Sequence, residues 1–126
     1  MNNTQNINPY VFPGLTDYGK SIFQRRLMAI KKNTPDAIIT NLTELFSVSK
    51  ETLLSKKRQR RLVNIRCIAI REIRANYPRM GLKTIGRIFN KDHSTIIHSL
   101  KQYDILMRFD HDFKEMVLDY TQFTEG

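Results

Sequence analysis

An all-α fold built around a helix-turn-helix is predicted by three observations. Apolar residues recur at helical spacing in successive windows between residues 16 and 123, the signature of amphipathic helices. Neither an alternating strand pattern nor an internal repeat interrupts them. Finally, Leu82–Phe89 reads as a short helix ending at Asn90, and Asp92 opens another almost at once. Two helices joined by so tight a turn form a helix-turn-helix, which presents the start of its second helix.

The elements follow in order. Residues 1–15 are rich in Asn and carry Pro9, Pro13 and Gly14, an irregular arm. Its Tyr10, Val11 and Phe12 are expected to pack on the helices, a partner-binding peptide being the alternative. A helix over 16–31 would use Ile22, Phe23, Leu27 and Ile30, closed by Lys31-Lys32-Asn33. Thr34-Pro35 is a helix start, a capping hydroxyl before proline at the first helical position. That helix carries Ala37, Ile38, Leu42, Leu45 and Phe46 along one face.

Ser47-Val48-Ser49 interrupts, and Ser49 with Thr52 opens a short helix through Leu53 and Leu54. Lys56-Lys57-Arg58-Gln59-Arg60-Arg61 is read as a basic connector. A longer helix follows through Leu62, Ile65, Ala69, Ile73 and Tyr77, ended by Pro78, and Gly81 begins the two-helix motif. The second helix of that motif continues through Ile96, Ile97, Leu100, Tyr103 and Met107. A last, acidic helix runs from Asp110 to Phe123 through Phe113, Val117 and Tyr120. The expected organisation is therefore an arm with a helix over 1–34, one folded domain over 35–122, and a tail over 123–126.

Composition narrows the function. The chain of 126 residues has a net charge of +9, unevenly spread. Residues 56–101 hold thirteen Lys and Arg against Glu72 and Asp92, whereas residues 102–126 hold Arg108 and Lys114 against six acids. A basic middle with an acidic end suits a polyanion-binding face. The single cysteine, Cys67, excludes an intramolecular disulfide and falls in an apolar helical pattern, as a small core side chain would. No signal sequence or membrane span is recognisable, so an intracellular, cytoplasmic protein is expected. His93 and His98 are five apart, which is not the spacing of a helical metal pair, and no cofactor is expected. Tyr103 shares a stripe with Ile96, Leu100 and Met107, which marks it as core. No carboxylate cluster suggests a nuclease, so no enzyme activity is expected.

Two blocks carry a family resemblance. Lys91-Asp92-His93-Ser94-Thr95-Ile96-Ile97-His98 is similar to a basic-Asp-His-Thr/Ser-Thr-aliphatic-aliphatic-His signature, and Leu53-Leu54-Ser55-Lys56-Lys57-Arg58-Gln59-Arg60 to a Leu-Leu-Ser-Lys segment with a basic loop. Ile85-Gly86 and Phe89 fit between them. Over roughly residues 35–122 the chain resembles the DNA-binding C-terminal domain of the bacterial chromosomal replication initiators, the DnaA family. That implies an all-helical domain whose helix-turn-helix is related to that of the Trp repressor. Three positions depart from the family pattern. Ile65 stands where a proline is common, Leu82-Lys83 replaces Leu-Pro, and Asn90 alone forms a turn that is often Gly-Gly. The family's ATPase phosphate loop, Gly-x-x-x-x-Gly-Lys-Ser/Thr, occurs nowhere in these residues. A free-standing relative of the DNA-binding domain is expected.

The resemblance also implies roles. Arg58 matches an arginine that enters the minor groove, where a guanidinium fits the concentrated negative potential; a phosphate contact is the alternative. Asp92 is an N-cap by position and, by resemblance, also a base contact. His93 falls near Ile97 and Leu100 on a helical wheel, so a packed or capping histidine stands beside the base-reading role. Ser94 shares the polar side with His98 and Lys101 and is expected to read a base. Backbone contacts are expected from Lys56, Lys57, Arg60, Arg61, Arg66, Arg74, Lys83, Lys91, Thr95, His98 and Lys101; support of the reading face is the alternative for Thr95 and His98, and a solvated face the alternative for part of the set Arg66, Arg71 and Arg74.

The expected partner is double-stranded DNA, bound at initiator boxes in replication control. Transcriptional regulation, non-specific architectural binding, and an adaptor that holds a replication protein through residues 1–32 are the alternatives. The family domain binds asymmetric boxes, so a monomer is expected.

Overall fold

The computed structural model describes residues 34–125, so the N-terminal arm and the helix expected over 16–31 lie outside the described residues. Six helices are described: α1 Pro35–Phe46, α2 Lys50–Leu53, α3 Arg60–Asn76, α4 Leu82–Phe89, α5 His93–Phe109 and α6 His111–Glu125. The fold is all-α.

Capping residues set most of the starts. The Thr34 side chain accepts from the backbone N–H of Ala37 at 3.1 Å, with Pro35 behind it at the first helical position. Ser49 accepts from Thr52 N–H at 3.0 Å and opens α2. Asp110 closes α5 through its N–H on Leu106 and opens α6 through its side chain, which accepts from Phe113 N–H at 3.0 Å. Such side-chain caps satisfy backbone donors that the first helical turn leaves without partners. The basic connector is shorter than its charge run suggests, because Arg60 and Arg61 already belong to the first turn of α3.

Helix α3 is the centre of the fold, packed against α1, α2, α4 and α5. Its Leu62, Ile65, Cys67, Ile68, Ala69, Ile70 and Ile73 are all buried. Ile38, Ile39 and Leu42 of α1 close one side of this core, while Phe113 and Tyr120 of α6 are buried within it. The two helices of the turn motif are anchored by Ile85, Phe89 and Ile96, each at most 1% exposed. Burying such a side chain contributes about 1.5–3 kcal/mol, so these three fix the pose of α4 and α5 on α3.

Cys67 is buried, as its apolar setting predicts. Its Sγ donates to the Ser99 carbonyl at 3.2 Å, tying α3 to α5. Tyr103 meets Phe113 edge to face at 5.4 Å between ring centres, with the Arg71 guanidinium over its ring at 5.4 Å. It is a packing residue.

Candidate nucleic-acid interface

The turn between α4 and α5 is fixed by backbone geometry. Asn90 adopts the left-handed conformation (φ 55°), which Asn tolerates better than most residues. Its N–H donates to the Arg87 carbonyl at 3.3 Å, and the Lys91 N–H donates to the Gly86 carbonyl at 2.8 Å. This pair of bonds terminates a helix on a left-handed residue. The Lys91 carbonyl lies where a side chain on Gly86 would begin, so the close approach of turn to helix depends on glycine at 86. One residue, Asn90, thus accomplishes the reversal.

Asp92 caps α5. Its Oδ1 accepts from Thr95 N–H at 3.0 Å and from the Ser94 hydroxyl at 2.9 Å. Those donors, the Thr95 backbone first and the Ser94 hydroxyl second, hold its carboxyl below the usual carboxylate range. Asp92, His93, Ser94 and Thr95 are all exposed at this helix start, and His98 and Lys101 continue the exposed face along α5. His93 is the first residue of α5. The helical wheel places it near the apolar side, yet at the very start of the helix it is solvent-exposed.

The loop between α2 and α3 brings Lys56, Lys57 and Arg58 to the surface. It lies beside the turn. Partial burial, then the charges of Arg66, Arg58 and Lys56, pull the Lys91 ammonium's pKa down from its ordinary value. Among the described residues the ion pairs are Lys50–Asp36 at 2.7 Å and His111–Glu115 at 3.4 Å. Neither involves a cation of this loop or of the α5 face.

Several arginines expected on phosphates face the protein instead. Arg66 is only 7% exposed; its guanidinium donates to the carbonyls of Leu53, Lys57 and Ser55 at 2.6, 2.6 and 2.9 Å. It stands on the same side of α3 as Leu62, Ala69 and Ile73, so the apolar stripe carries it inward, and the phosphate role expected of it is withdrawn. Arg74 is half-buried, and its Nη1 donates to the carbonyls of Pro78 and Met80 at 3.0 and 2.9 Å across the α3–α4 turn. Arg61, exposed overall, donates to the Phe46 carbonyl at 2.6 Å and stacks over the Phe46 ring at 5.8 Å. Sequence periodicity signals the inward direction of Arg66, but the carbonyls that receive it come from distant parts of the chain. Lys56, Lys57, Arg58, Arg60, Lys83, Thr95, His98 and Lys101 are exposed, and Lys91 is half-buried.

Comparison with known proteins agrees with the local geometry. A family model described as the bacterial dnaA protein helix-turn-helix matches residues 35–102. The chain is 42% identical over 90 residues to the chromosomal replication initiator protein DnaA of Geobacter sp. (strain M21), covering 68% of this chain and 19% of that protein. It is 30% identical over 105 residues to the DnaA of Flavobacterium psychrophilum, 82% of this chain and 22% of the other. With the DnaA of Mycoplasma genitalium the match is 24% over 115 residues, 91% and 24% respectively. The chain spans about a fifth of the length of the curated relatives it matches.

Proposed function

Because the chain belongs to the family of the bacterial DnaA protein helix-turn-helix, we propose that it binds double-stranded DNA sequence-specifically, at initiator-type boxes, and acts in replication control. The observation that carries this reading is the meeting of two surfaces. The exposed start of α5 (Asp92, His93, Ser94) and the cationic loop (Lys56, Lys57, Arg58) come together at Lys91. Short polar side chains at a helix start can exchange hydrogen bonds with base edges in the major groove. An arginine on an adjacent loop suits the neighbouring minor groove, whose negative potential draws guanidinium groups.

On this reading Asp92, His93 and Ser94 address bases in the major groove and Arg58 the minor groove. Lys56, Lys57, Arg60, Lys83, Lys91, Thr95, His98 and Lys101 meet phosphates and set affinity and register. The chain acts as a monomer that competes for, marks or bridges the boxes.

Fluorescence anisotropy with a duplex carrying an initiator box and a scrambled duplex, at two salt concentrations, tests the proposal. Specific readers prefer their site by at least about 10³-fold; a preference of that order that collapses in Ser94→Ala is expected. Equal, salt-sensitive binding to both duplexes, with no site enriched by selection from random DNA, would reject sequence-specific reading.

A further inference from the structure

We infer that Arg66 is the positioning residue of the minor-groove loop: by gathering the carbonyls of Leu53, Ser55 and Lys57 it holds the chain on either side of Lys56 and delivers Arg58 to DNA in one conformation. The inference rests on the DNA-binding reading above but concerns how that loop is built.

The geometry is specific to a guanidinium. Nε donates to Leu53 at 2.6 Å, Nη1 to Lys57 at 2.6 Å, and Nη2 to Ser55 at 2.9 Å, with Thr52 at 3.5 Å. The planar fork thus ties the end of α2 to the backbone immediately before Arg58. Gln59 then opens α3 without a side-chain cap; local bonds hold Ser55, whose hydroxyl donates to the Thr52 carbonyl at 2.6 Å, but beyond it the local bond from Lys57 N–H to the Ser55 hydroxyl is long at 3.3 Å. Arg66 is therefore the tie that reaches the loop beyond Ser55 from another element, at the Lys57 carbonyl.

The acceptors matter as much as the donor. Carbonyl dipoles satisfy the buried guanidinium without cancelling its charge, whereas a carboxylate would neutralise it. Arginine keeps its proton in proteins even when buried. The cation therefore adds to the positive potential at this surface, where the charges of Arg66, Arg58 and Lys56 all act on Lys91. An ordered loop also loses less conformational freedom on binding, and that pre-organisation appears as affinity.

Arg66→Lys and Arg66→Met test the inference. Lysine keeps the charge but cannot span the same carbonyls; methionine removes both and serves should the lysine variant not fold. Two measurements are made on the full chain: backbone ¹⁵N relaxation of residues 55–59 in the free protein, and the cost of Arg58→Ala on a duplex selected by the wild-type protein from a random pool. In the wild type the loop should be as ordered as α4, and Arg58→Ala should weaken binding about 10-fold, within the range for one base contact. In the Arg66 variants the loop should become mobile while the α4 and α5 amides keep their order, and Arg58→Ala should then cost less than about 2-fold. An unchanged loop, or an undiminished Arg58→Ala penalty over a loosened one, would overturn the inference. If Arg58→Ala costs nothing in the wild type, the groove role of Arg58 fails separately, and the relaxation data decide alone whether Arg66 holds the loop.

Discussion

The carbonyl oxygen of Lys91 occupies the space into which a β-carbon on Gly86 would project. Backbone meets backbone there, so neither partner can swing aside. Gly86→Ala gains intrinsic helix propensity worth up to about 1 kcal/mol, but must displace the turn. Overpacking a tight site typically costs about 1–3 kcal/mol. The net expectation is a lowered thermal midpoint together with weakened DNA binding, because the same shift re-aims α5. Thermal unfolding followed by circular dichroism checks the first part and anisotropy the second. A variant as stable as wild type would mean that the turn yields.

Asp92 gives a pH dependence whose sign is fixed. Its carboxyl is held below its ordinary value by the Thr95 backbone N–H, then the Ser94 hydroxyl and the Thr95 side chain. The folded chain therefore binds this proton less readily than the unfolded chain. The capping contribution is fully present above the unfolded pKa, ordinarily near 3.8, and is lost as pH falls through the depressed folded value. Asp92→Ala should lower the thermal midpoint at neutral pH, and the gap to wild type should close on acidification below that range. Asp92→Asn, which keeps a capping oxygen, should recover most of the neutral-pH stability. A gap between wild type and Asp92→Ala that is constant from pH 7 to pH 3 would remove the carboxylate from the account.

Burial pushes the Cys67 thiol up to about 11, and the side chain is 2% exposed. At pH 8 that leaves about one thiol in 10³ ionised, and the thiolate is the reactive form. Alkylation of the native protein should accordingly be slow and should accelerate with denaturant in step with global unfolding. Fast labelling under native conditions, well below the unfolding transition, would show that the α3–α5 contact opens locally.

How much of this was legible in the sequence depends on the range of each interaction. Thr34-Pro35, Ser49-Thr52 and Asp92-Thr95 are contacts within three or four residues, and their types and spacing announce helix starts that the structure places at the same points. The all-α class follows from periodicity, and so does the burial of Ile96, whereas Ile85 and Phe89 are placed by the family resemblance. Arg66 shows the boundary. Its position on the apolar stripe of α3 is periodic information, but its acceptors lie 9 to 14 residues away, and charge alone suggested phosphate. His93 shows the converse: its place on the helical wheel leaves a packed histidine open beside the base-reading role, and only its position at the first turn of α5 leaves the side chain exposed.

Lys56 and Arg61, five residues apart in one basic run, should separate structural from electrostatic roles. Arg61 donates to the Phe46 carbonyl and covers the Phe46 ring, tying the start of α3 to the end of α1. Lys56 is exposed, has no acidic partner among the described ion pairs, and stands by Lys91. A cation that neutralises a phosphate contributes about 0.9 to the slope of log affinity against log salt. Lys56→Ala should therefore flatten that slope by about 1 while leaving the melting temperature unchanged. Arg61→Ala should leave the slope nearly unchanged and lower stability by about 1 kcal/mol, less than a buried charged hydrogen bond contributes because the side chain is exposed. Salt titrations and thermal melts of both variants decide between the roles. If Arg61→Ala flattens the slope as much as Lys56→Ala does, its guanidinium leaves Phe46 for the phosphate when DNA binds, and the contact at 2.6 Å describes only the free protein.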